Sequence, residues 1–492
     1  MTYDVAVRLV RTLLQRFFRR IEVSGLDHVP AEGGGLVVSW HPNGIIDPAL
    51  ILGQFPRQIV FGARHGLLKV PVFGQILRAI GTVPIYRAQD KGGGTDEERR
   101  ARNRVSLDAL ATKIATGSFS ALFPEGVSHD DSHLQELKVG AARLFYRAGQ
   151  LGDENAIPPV IIPVGLHYDE KDVFHSNVLV SFHRPLELPP ELALLPADAP
   201  DEEFRARCTA LTEAIEGALI ATCHPTEDWE QHHLMHRTRS LVRAERSLRA
   251  GQKPGAPDML ERTLGFERVW KGYYASRERA PEQTAALMER IAEYDADLVT
   301  LGLQDHQLDA TPRKASPWWG LRLATQVVGL YVLLPPLLVV GLIVNGPPYF
   351  FLKWFAQRIA KKRKDLASIK FLSGLVVYPS VWLGVGALAW LGWINVSGSF
   401  PAAVAASPLA AAALTLLLAA LGGVSALRYT EQTRSTLRAI RVRFTRARYR
   451  ESIQRLRSER AALHDAIEAM AEGLELPGRV GADGRVEPGP EA

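Results

Sequence analysis

The chain has 492 residues, 47% of them hydrophobic, which is long enough for two or three domains with complete cores. Its formal net charge of +5 is small for this length, so the positions of the basic residues matter more than their excess. The two cysteines, Cys208 and Cys223, exclude a disulfide framework and a CxxC pair. They are typical of a protein from a reducing compartment.

Residues 1–25 predict an amphipathic helix. Val5, Leu9, Leu13 and Phe17 recur at helical spacing, with arginines beside the apolar stripe. The arginines also interrupt every apolar run, which argues against a cleavable signal peptide. Two interpretations stay open: an anchor lying on anionic lipid, or an ordinary helix packed on the following domain.

Residues 26–200 predict an α/β domain, a sheet flanked by helices. Short and mostly continuous apolar runs, with helical stretches at 95–117 and 138–149 between them, suit a sheet covered on both faces. The predicted strands are Leu36–Trp40, Gln58–Gly62, Thr82–Ile85, Phe119–Phe123, Val160–Gly165 and Val178–Phe182. The glycine-rich turns Glu32–Gly35 and Lys91–Gly94 fit neither GxGxxG nor a P-loop, so nucleotide binding has no support.

Residues 201–315 predict an all-α domain. Within it, His232 and His236 stand one helical turn apart, a spacing that two metal ligands could use. No thiolate stands at finger spacing and the neighbours are charged, so we predict a solvated helix face and no metal site.

Residues 316–430 predict a membrane domain, because 323–352, 371–394 and 401–427 are free of charge. About 20 apolar residues cross a bilayer, so the last two segments are predicted transmembrane helices. Basic residues precede one and follow the other, which places both ends of this hairpin in the cytoplasm. The segment 323–352 is predicted to enter and return, bent at Pro335-Pro336, so that the preceding domains stay cytoplasmic. For residues 431–492 the sequence predicts a basic cytoplasmic helix followed by a disordered tail.

His41 and Asp47 are the candidate reactive pair. A neutral imidazole is basic near pH 7, and a carboxylate can fix its tautomer and stabilise its cation. The turn residues Asn43-Gly44 between them permit the chain to fold back and bring the two side chains together. Taken alone, such a pair is more often structural, a satisfied histidine beside a turn or cap.

Three further motifs follow in order: Gly81-Thr82-Val83-Pro84-Ile85-Tyr86-Arg87, then Phe123-Pro124-Glu125-Gly126, then Ile161-Ile162-Pro163-Val164-Gly165. In this order the chain resembles the PlsC-like glycerolipid acyltransferases. The family separates its His and Asp by four residues, whereas five separate His41 and Asp47. The spacing of five is similar to that of the fungal glycerol-3-phosphate and dihydroxyacetone-phosphate acyltransferase branch. The motifs Glu125–Asp130 and Leu137–Ala141 resemble the same branch. The resemblance is strong over roughly residues 20–190.

The resemblance implies a multi-pass membrane enzyme of phospholipid biosynthesis with a cytoplasmic catalytic domain. It would move a fatty acyl group from acyl-CoA or acyl carrier protein to glycerol 3-phosphate or dihydroxyacetone phosphate, without a cofactor. The alternative acceptor is 1-acylglycerol 3-phosphate, which carries the same phosphate and would give phosphatidate.

The same resemblance implies residue roles. His41 would be the base and Asp47 its partner, while Arg87 and Glu125-Gly126 would hold the acceptor, with Lys138 a weaker candidate. The planar fork of arginine suits phosphate oxygens. The structural alternatives are a surface ion pair for Arg87 and a helix N-terminal carboxylate for Glu125.

Three rival interpretations are weaker. Ser128-His129-Asp130 are adjacent in sequence and cannot converge as a triad, so they are predicted to form a loop and cap. A non-catalytic membrane scaffold or lipid-transfer protein has no need of the His41 and Asp47 pair. The arginines after residue 427 lie beside a membrane helix and fit membrane lipid headgroups, so no nucleic-acid partner is predicted.

Overall fold

The computed structural model of the chain describes residues 1–70, 73–86, 95–153, 156–196, 199–252, 256–309, 325, 335–360, 365–396 and 407–489. The chain divides into a first unit, Met1–Met288 with Ile467–Ala492, and a second unit, Glu289–Ala466. The composition change at residue 200 is therefore not a boundary between units, because the helices that follow it pack with the sheet.

A seven-stranded mixed sheet forms the centre of the first unit, in the order β1-β7-β6-β2-β5-β3-β4. Its strands are β1 Arg20–Ser24, β2 Gly35–Ser39, β3 Ile59–Arg64, β4 Val83–Ile85, β5 Phe119–Leu122, β6 Val160–Tyr168 and β7 Asn177–Phe182. Only β6 and β7 pair antiparallel among these neighbours. The α/β fold class is confirmed, and each predicted strand lies within a few residues of an observed one.

Strand β1 was not predicted, because its residues fell inside the predicted helix 1–25. That helix, α1 Tyr3–Phe17, ends before them. The sequence of β1, Arg-Ile-Glu-Val-Ser, alternates polar and apolar side chains as an edge strand does. It pairs in parallel with β7.

Two glycines at the start of β2, Gly34 and Gly35, let the central strand lie close to its neighbours. A Cβ on Gly34 would lie 2.2 Å from the Ile114 carbonyl oxygen, and one on Gly35 would lie 2.3 Å from that of Val160. Both distances are below any normal contact, so a side chain at Gly34 would push the start of β2 away from the end of α4, and one at Gly35 would push it away from β6.

Helices cover both faces of the sheet in the first unit. They are α2 Ile46–Gln54, α3 Phe73–Ala79, α4 Asp96–Ala115, α5 Gly140–Leu151, α6 Pro190–Ala193, α7 Asp201–Cys223, α8 Trp229–Arg249 and α9 Met259–Arg279. Helix α4 begins at a capping box formed by Thr95 and Glu98. The predicted helices 95–117 and 138–149 correspond to α4 and α5.

Helix α1 packs on the domain. Its residues Ala6, Val10, Leu14 and Phe17 are buried, and Arg11 Nε donates to the Gly53 carbonyl oxygen at 2.7 Å. This is the second of the two interpretations left open by the sequence.

The predicted disordered tail is wrong over the described residues. After the long helix α15 Arg450–Met470, the chain forms a hairpin of β8 Arg479–Val480 and β9 Val486–Glu487. Arg268 of α9 donates to the Pro477 carbonyl oxygen at 2.8 Å, so backbone carbonyls of the tail pair with an arginine of the helical layer. Such local pairing leaves little signal in composition.

Three long apolar helices dominate the second unit: α12 Pro335–Ile359, α13 Leu366–Val396 and α14 Pro408–Arg448. The unit also contains most of α10 Pro281–Leu301 and α11 Asp305–Leu308. Asn345 of α12 links the three, since its Nδ2 donates to the Ala419 carbonyl at 2.9 Å and its Oδ1 accepts from Trp382 Nε1 at 3.0 Å. A polar link of this kind between helices is typical of membrane helix packing.

Among the described residues, two helices are long and apolar enough to cross a membrane. They are α13 and α14, with mean hydropathy of 1.7 and 2.1 over their most apolar windows, and little of either window is buried in the protein. They contain the predicted segments 371–394 and 401–427, except for residues 401–406, which lie outside the described residues, and Ser407, which precedes α14 as its N-cap. Most of 323–334 also lies outside them, and with it the first arm of the predicted bend. These helices suggest membrane association.

Candidate active site

His41 and Asp47 meet at the carboxyl edge of the sheet. His41 follows β2, and Asp47 lies in the first turn of α2. His41 Nδ1 lies 2.8 Å from Asp47 Oδ2, with the histidine side chain 15% exposed and the aspartate fully buried. The structure thus brings the predicted pair together, while its catalytic role stays a prediction.

The turn between them accommodates five intervening residues. Gly44 has a left-handed φ of 40°, and the Ile46 N–H donates to the Asn43 carbonyl at 2.9 Å. The carboxylate of Asp47 reaches back to accept the Asn43 N–H at 2.7 Å. Asp47 therefore closes the same loop whose histidine it contacts.

Tyr168, at the end of β6, is a third member that sequence analysis missed. Its hydroxyl donates to Asp47 Oδ1. Burial, followed by the charge of Asp47, raises the pKa of Tyr168 well above its ordinary value, so the hydroxyl keeps its proton and remains a donor. The predicted strand ended at Gly165, and a tyrosine just beyond a strand gives no signal of its own.

Lys171 was also missed. Its ammonium donates to the Pro42 carbonyl at 3.0 Å and forms an ion pair with Asp130 at 2.7 Å. Its own carbonyl accepts from Asn43 Nδ2 at 2.8 Å. The segment after β6 therefore holds the loop between His41 and Asp47 from outside.

Glu125 supports His41 from the opposite side. Its buried carboxylate accepts the His41 N–H at 2.9 Å through Oε2. Its Oε1 lies 2.6 Å from His129 Nε2 and accepts the Gln135 N–H at 3.1 Å. Glu125 precedes α5 by many residues, so the helix N-terminal alternative is wrong. Its predicted contact with an acceptor stays a prediction, since protein groups occupy both oxygens.

Aromatic and backbone contacts complete the support. The ring of Phe123 stacks on that of His41, with centroids 4.0 Å apart. The His129 N–H donates to the His41 carbonyl at 3.1 Å. The segment from Ser128 to Asp130 is a loop, as predicted, although no described helix begins until α5 and the predicted cap is wrong.

The remaining predicted residues differ in placement. Gly126 has a left-handed φ of 71° in the turn after β5. The ammonium of Lys138 pairs with Glu136 at 3.2 Å, and its side chain is 60% exposed. Arg87 lies outside the described residues. The residue before it, Tyr86, is held by Asn103, which accepts its N–H at 2.9 Å and donates to its carbonyl at 2.8 Å.

The predicted solvated face of α8 is wrong for two of its histidines. The rings of His232 and His236 pack on Phe266, at centroid distances of 4.8 and 4.5 Å. Burial lowers the pKa of His232 to about 4 and that of His236 well below its ordinary value. The described residues contain no group of three His, Cys, Asp or Glu placed to hold a metal ion.

Two family models match the chain. Residues 20–167 match the model described as Acyltransferase. Residues 260–475 match the model described as Glycerol-3-phosphate acyltransferase 2 C-terminal domain. The first match contains His41, Asp47 and Glu125, and it ends one residue before Tyr168. The second match contains α12, α13 and α14.

Curated relatives include two proteins of Saccharomyces cerevisiae. Glycerol-3-phosphate O-acyltransferase 1 is 23% identical over 475 residues, covering 80% of this chain and 60% of its own length. Glycerol-3-phosphate O-acyltransferase 2 is 23% identical over 476 residues, covering 75% of this chain and 61% of its own length. The chain thus spans about 60% of the length of these relatives.

A similar solved structure is the 1-acyl-sn-glycerophosphate acyltransferase PlsC from Thermotoga maritima, which is 19% identical with a TM-score of 0.29 over 43% of this chain and 79% of that one. The two family matches do not overlap. They leave residues 1–19, 168–259 and 476–492 unmatched. The chain therefore joins a region that matches the acyltransferase family, residues 20–167, to a region that matches the glycerol-3-phosphate acyltransferase 2 C-terminal domain, residues 260–475.

Proposed function

We propose that the chain is an O-acyltransferase that moves a fatty acyl group from an acyl thioester to a hydroxyl of glycerol 3-phosphate or dihydroxyacetone phosphate. The observation that carries this proposal is the contact of 2.8 Å between His41 Nδ1 and Asp47 Oδ2 at the carboxyl edge of the sheet. Ligands of open α/β sheets bind at that edge. The printed names of the two yeast relatives support the choice of acceptor.

The geometry supports general-base catalysis. With Nδ1–H directed at Asp47, His41 Nε2 can take the proton of the acceptor hydroxyl as its oxygen bonds to the thioester carbonyl carbon. Asp47 stabilises the imidazolium that forms. When the C–S bond then breaks, His41 returns the proton to the leaving sulfur, which gives an ester and a free thiol. The step needs no cofactor, and acyl-CoA and acyl carrier protein are both donors of this class.

The acceptor phosphate would bind beside this pair. Strands β2, β5, β3 and β4 are parallel neighbours, so His41, the turn at Gly126 and Tyr86 lie at one edge of the sheet. Arg87 comes directly after Tyr86, and its guanidinium suits two phosphate oxygens at once. Lys138 is a weaker candidate because its ammonium is exposed and already faces Glu136.

We propose a multi-pass topology with the catalytic domain in the cytoplasm. In the second unit, Arg460 of α15 pairs with Asp309 at 2.6 Å, and α15 directly follows α14. If α13 and α14 cross the membrane as a hairpin, the end of α12 lies on the same side as the start of α15. Asp309 lies on that side too, because it pairs with Arg460 of α15. This placement agrees with the prediction that the segment 323–352 enters and returns on one side. The arginines after α14 mark that side as cytoplasmic.

Cysteine labelling of intact vesicles tests this topology. Cys208 and Cys223 are buried, so single cysteines can be added to the natural chain. In vesicles whose cytoplasmic face points inward, Ser399→Cys should react with an impermeant maleimide added outside. Ala250→Cys should react only after the membrane is permeabilised. Labelling of Ala250→Cys from outside would contradict the proposed orientation.

Product analysis tests the activity. The purified chain is incubated with palmitoyl-CoA or palmitoyl acyl carrier protein and with each of three acceptors, and the product is weighed by mass spectrometry. We expect acylated glycerol 3-phosphate or dihydroxyacetone phosphate from the natural chain and none from His41→Ala. Acylation of 1-acylglycerol 3-phosphate alone would support the phosphatidate alternative. Lipid binding with no acyl transfer from any pair would support a non-catalytic membrane protein.

A further inference from the structure

Asp47 is a fully buried carboxylate that depends on donated hydrogen bonds. Its Oδ2 faces His41 Nδ1 at 2.8 Å and accepts the Asn43 N–H at 2.7 Å. Its Oδ1 accepts the hydroxyl of Tyr168. A buried ionised carboxylate is costly unless donors satisfy it, so each of these contacts matters to its charge and orientation.

Tyr168 occupies a position that the sheet fixes independently of the loop. It ends β6, which pairs with β2 on one side and β7 on the other. Tyr168 stands opposite Val178 of β7, and its ring lies 6.1 Å from that of Phe18. The hydroxyl is therefore presented to Asp47 by a rigid strand, whereas the carboxylate stands at the start of a helix that follows a turn.

We propose that Tyr168 is a positioning residue of the His41 and Asp47 pair. Its hydroxyl holds Asp47 Oδ1, which turns Oδ2 toward His41 Nδ1. This inference rests on the proposed acyltransferase function, because it assigns Tyr168 a role in the base rather than in substrate binding. The residue lies 121 positions from Asp47 in the chain.

The direction of the hydrogen bond predicts how the Tyr168 hydroxyl changes the pH dependence of the activity. A hydroxyl that donates to a carboxylate favours the ionised form. Removing the hydroxyl should therefore move the acid limb of the activity profile to higher pH.

The first test replaces the hydroxyl alone. Tyr168→Phe should lower kcat about tenfold or more, as expected for the loss of a hydrogen bond to a charged group. The acid limb of the kcat profile should move to higher pH, and KM for donor and acceptor should stay within about twofold. The matched control is Tyr146→Phe, whose hydroxyl donates to the Leu192 carbonyl at 3.1 Å, away from the pair. The control should keep the natural kcat and pH profile.

A second variant keeps the proposal testable if Tyr168→Phe does not fold. Site-specific 3-fluorotyrosine at position 168 keeps the size of the ring and makes the hydroxyl a stronger donor. The acid limb should then move to lower pH, opposite to the shift in Tyr168→Phe. A structural role alone would not reverse the direction.

The outcomes separate this inference from the proposed function. If His41→Ala abolishes transfer while both Tyr168 variants keep the natural kcat and acid limb, the positioning role is wrong and the enzyme assignment stands. If His41→Ala retains full transfer, the assigned base is wrong, and Tyr168 loses its proposed role with it.

Discussion

The first unit holds two groups of histidines whose surroundings differ. At the carboxyl edge of the sheet, His41 and His129 each contact a buried carboxylate, at 2.8 and 2.6 Å. Beside β6, β7 and α8, burial lowers the pKa of another four: His167, His183, His232 and His236. In that second group, His167 Nε2 and His232 Nδ1 have no hydrogen-bond partner among the described residues. A histidine can act as a base where a carboxylate stabilises its cation, and it packs as a neutral ring where none does.

The largest effect should come from removing the charge that distinguishes the first group. Asp47→Asn keeps the size of the side chain but cannot stabilise an imidazolium, and it can favour the wrong tautomer of His41. We expect kcat to fall about 10²- to 10⁴-fold, the range for loss of an assisted general base. Steady-state kinetics with the best acceptor measures it, and His233→Ala, an exposed residue of α8, is the control. Full activity in Asp47→Asn would remove the functional difference between the two groups.

The second group should make the protein unstable in acid. Burial lowers the pKa of both His183 and His232 to about 4, whereas an unfolded histidine binds its proton near pH 6.5. The stability is therefore full above pH 6.5 and falls as the pH drops from 6.5 to about 4. Each such residue should account for roughly 3 kcal/mol over that window.

Thermal unfolding between pH 7 and pH 4.5 checks this expectation. The groups that act on His183 are Glu267, His224 and His28, and of these only Glu267 opposes the shift. His232→Gln should flatten the dependence of the unfolding temperature on pH. A natural chain equally stable at both ends of the range would show that these histidines are solvated.

The contrast between the two groups also shows what a sequence can predict. Continuous apolar runs gave the central strands, because strands covered on both faces need them. The pair His41 and Asp47 was predictable because its turn is local. Tyr168 was not, since its contact with Asp47 depends on β6 lying next to β2, which no local pattern encodes. Likewise, the charged neighbours of His232 in sequence concealed its packing on Phe266, which comes from another helix.

A smaller effect should follow from changing the support of the first group. Glu125→Gln keeps an oxygen for one donor but weakens the contacts to the His41 N–H and to His129. Hydrogen bonds to charged groups are worth about 1.5–3 kcal/mol, so we expect the free energy of unfolding to fall by roughly 2–3 kcal/mol and kcat to fall with it. Denaturant unfolding and kinetics measure both. A higher KM for glycerol 3-phosphate with unchanged stability would instead favour the acceptor contact predicted from sequence.

The smallest effect is expected at Lys138. Its ammonium is exposed and pairs with an exposed Glu136, and such pairs contribute about 0–1 kcal/mol. Lys138→Ala should therefore leave the unfolding free energy nearly unchanged and raise KM for the acceptor by no more than about threefold, since a screened charge holds phosphate weakly. Arg87→Ala is the comparison, because its guanidinium can bind two phosphate oxygens and should raise the same KM far more. Acceptor titrations at fixed donor concentration measure both values. If Lys138→Ala raised the acceptor KM more than Arg87→Ala did, the phosphate would bind near the turn at Gly126. It would then lie closer to Glu125 and the first group of histidines than the order of motifs predicts.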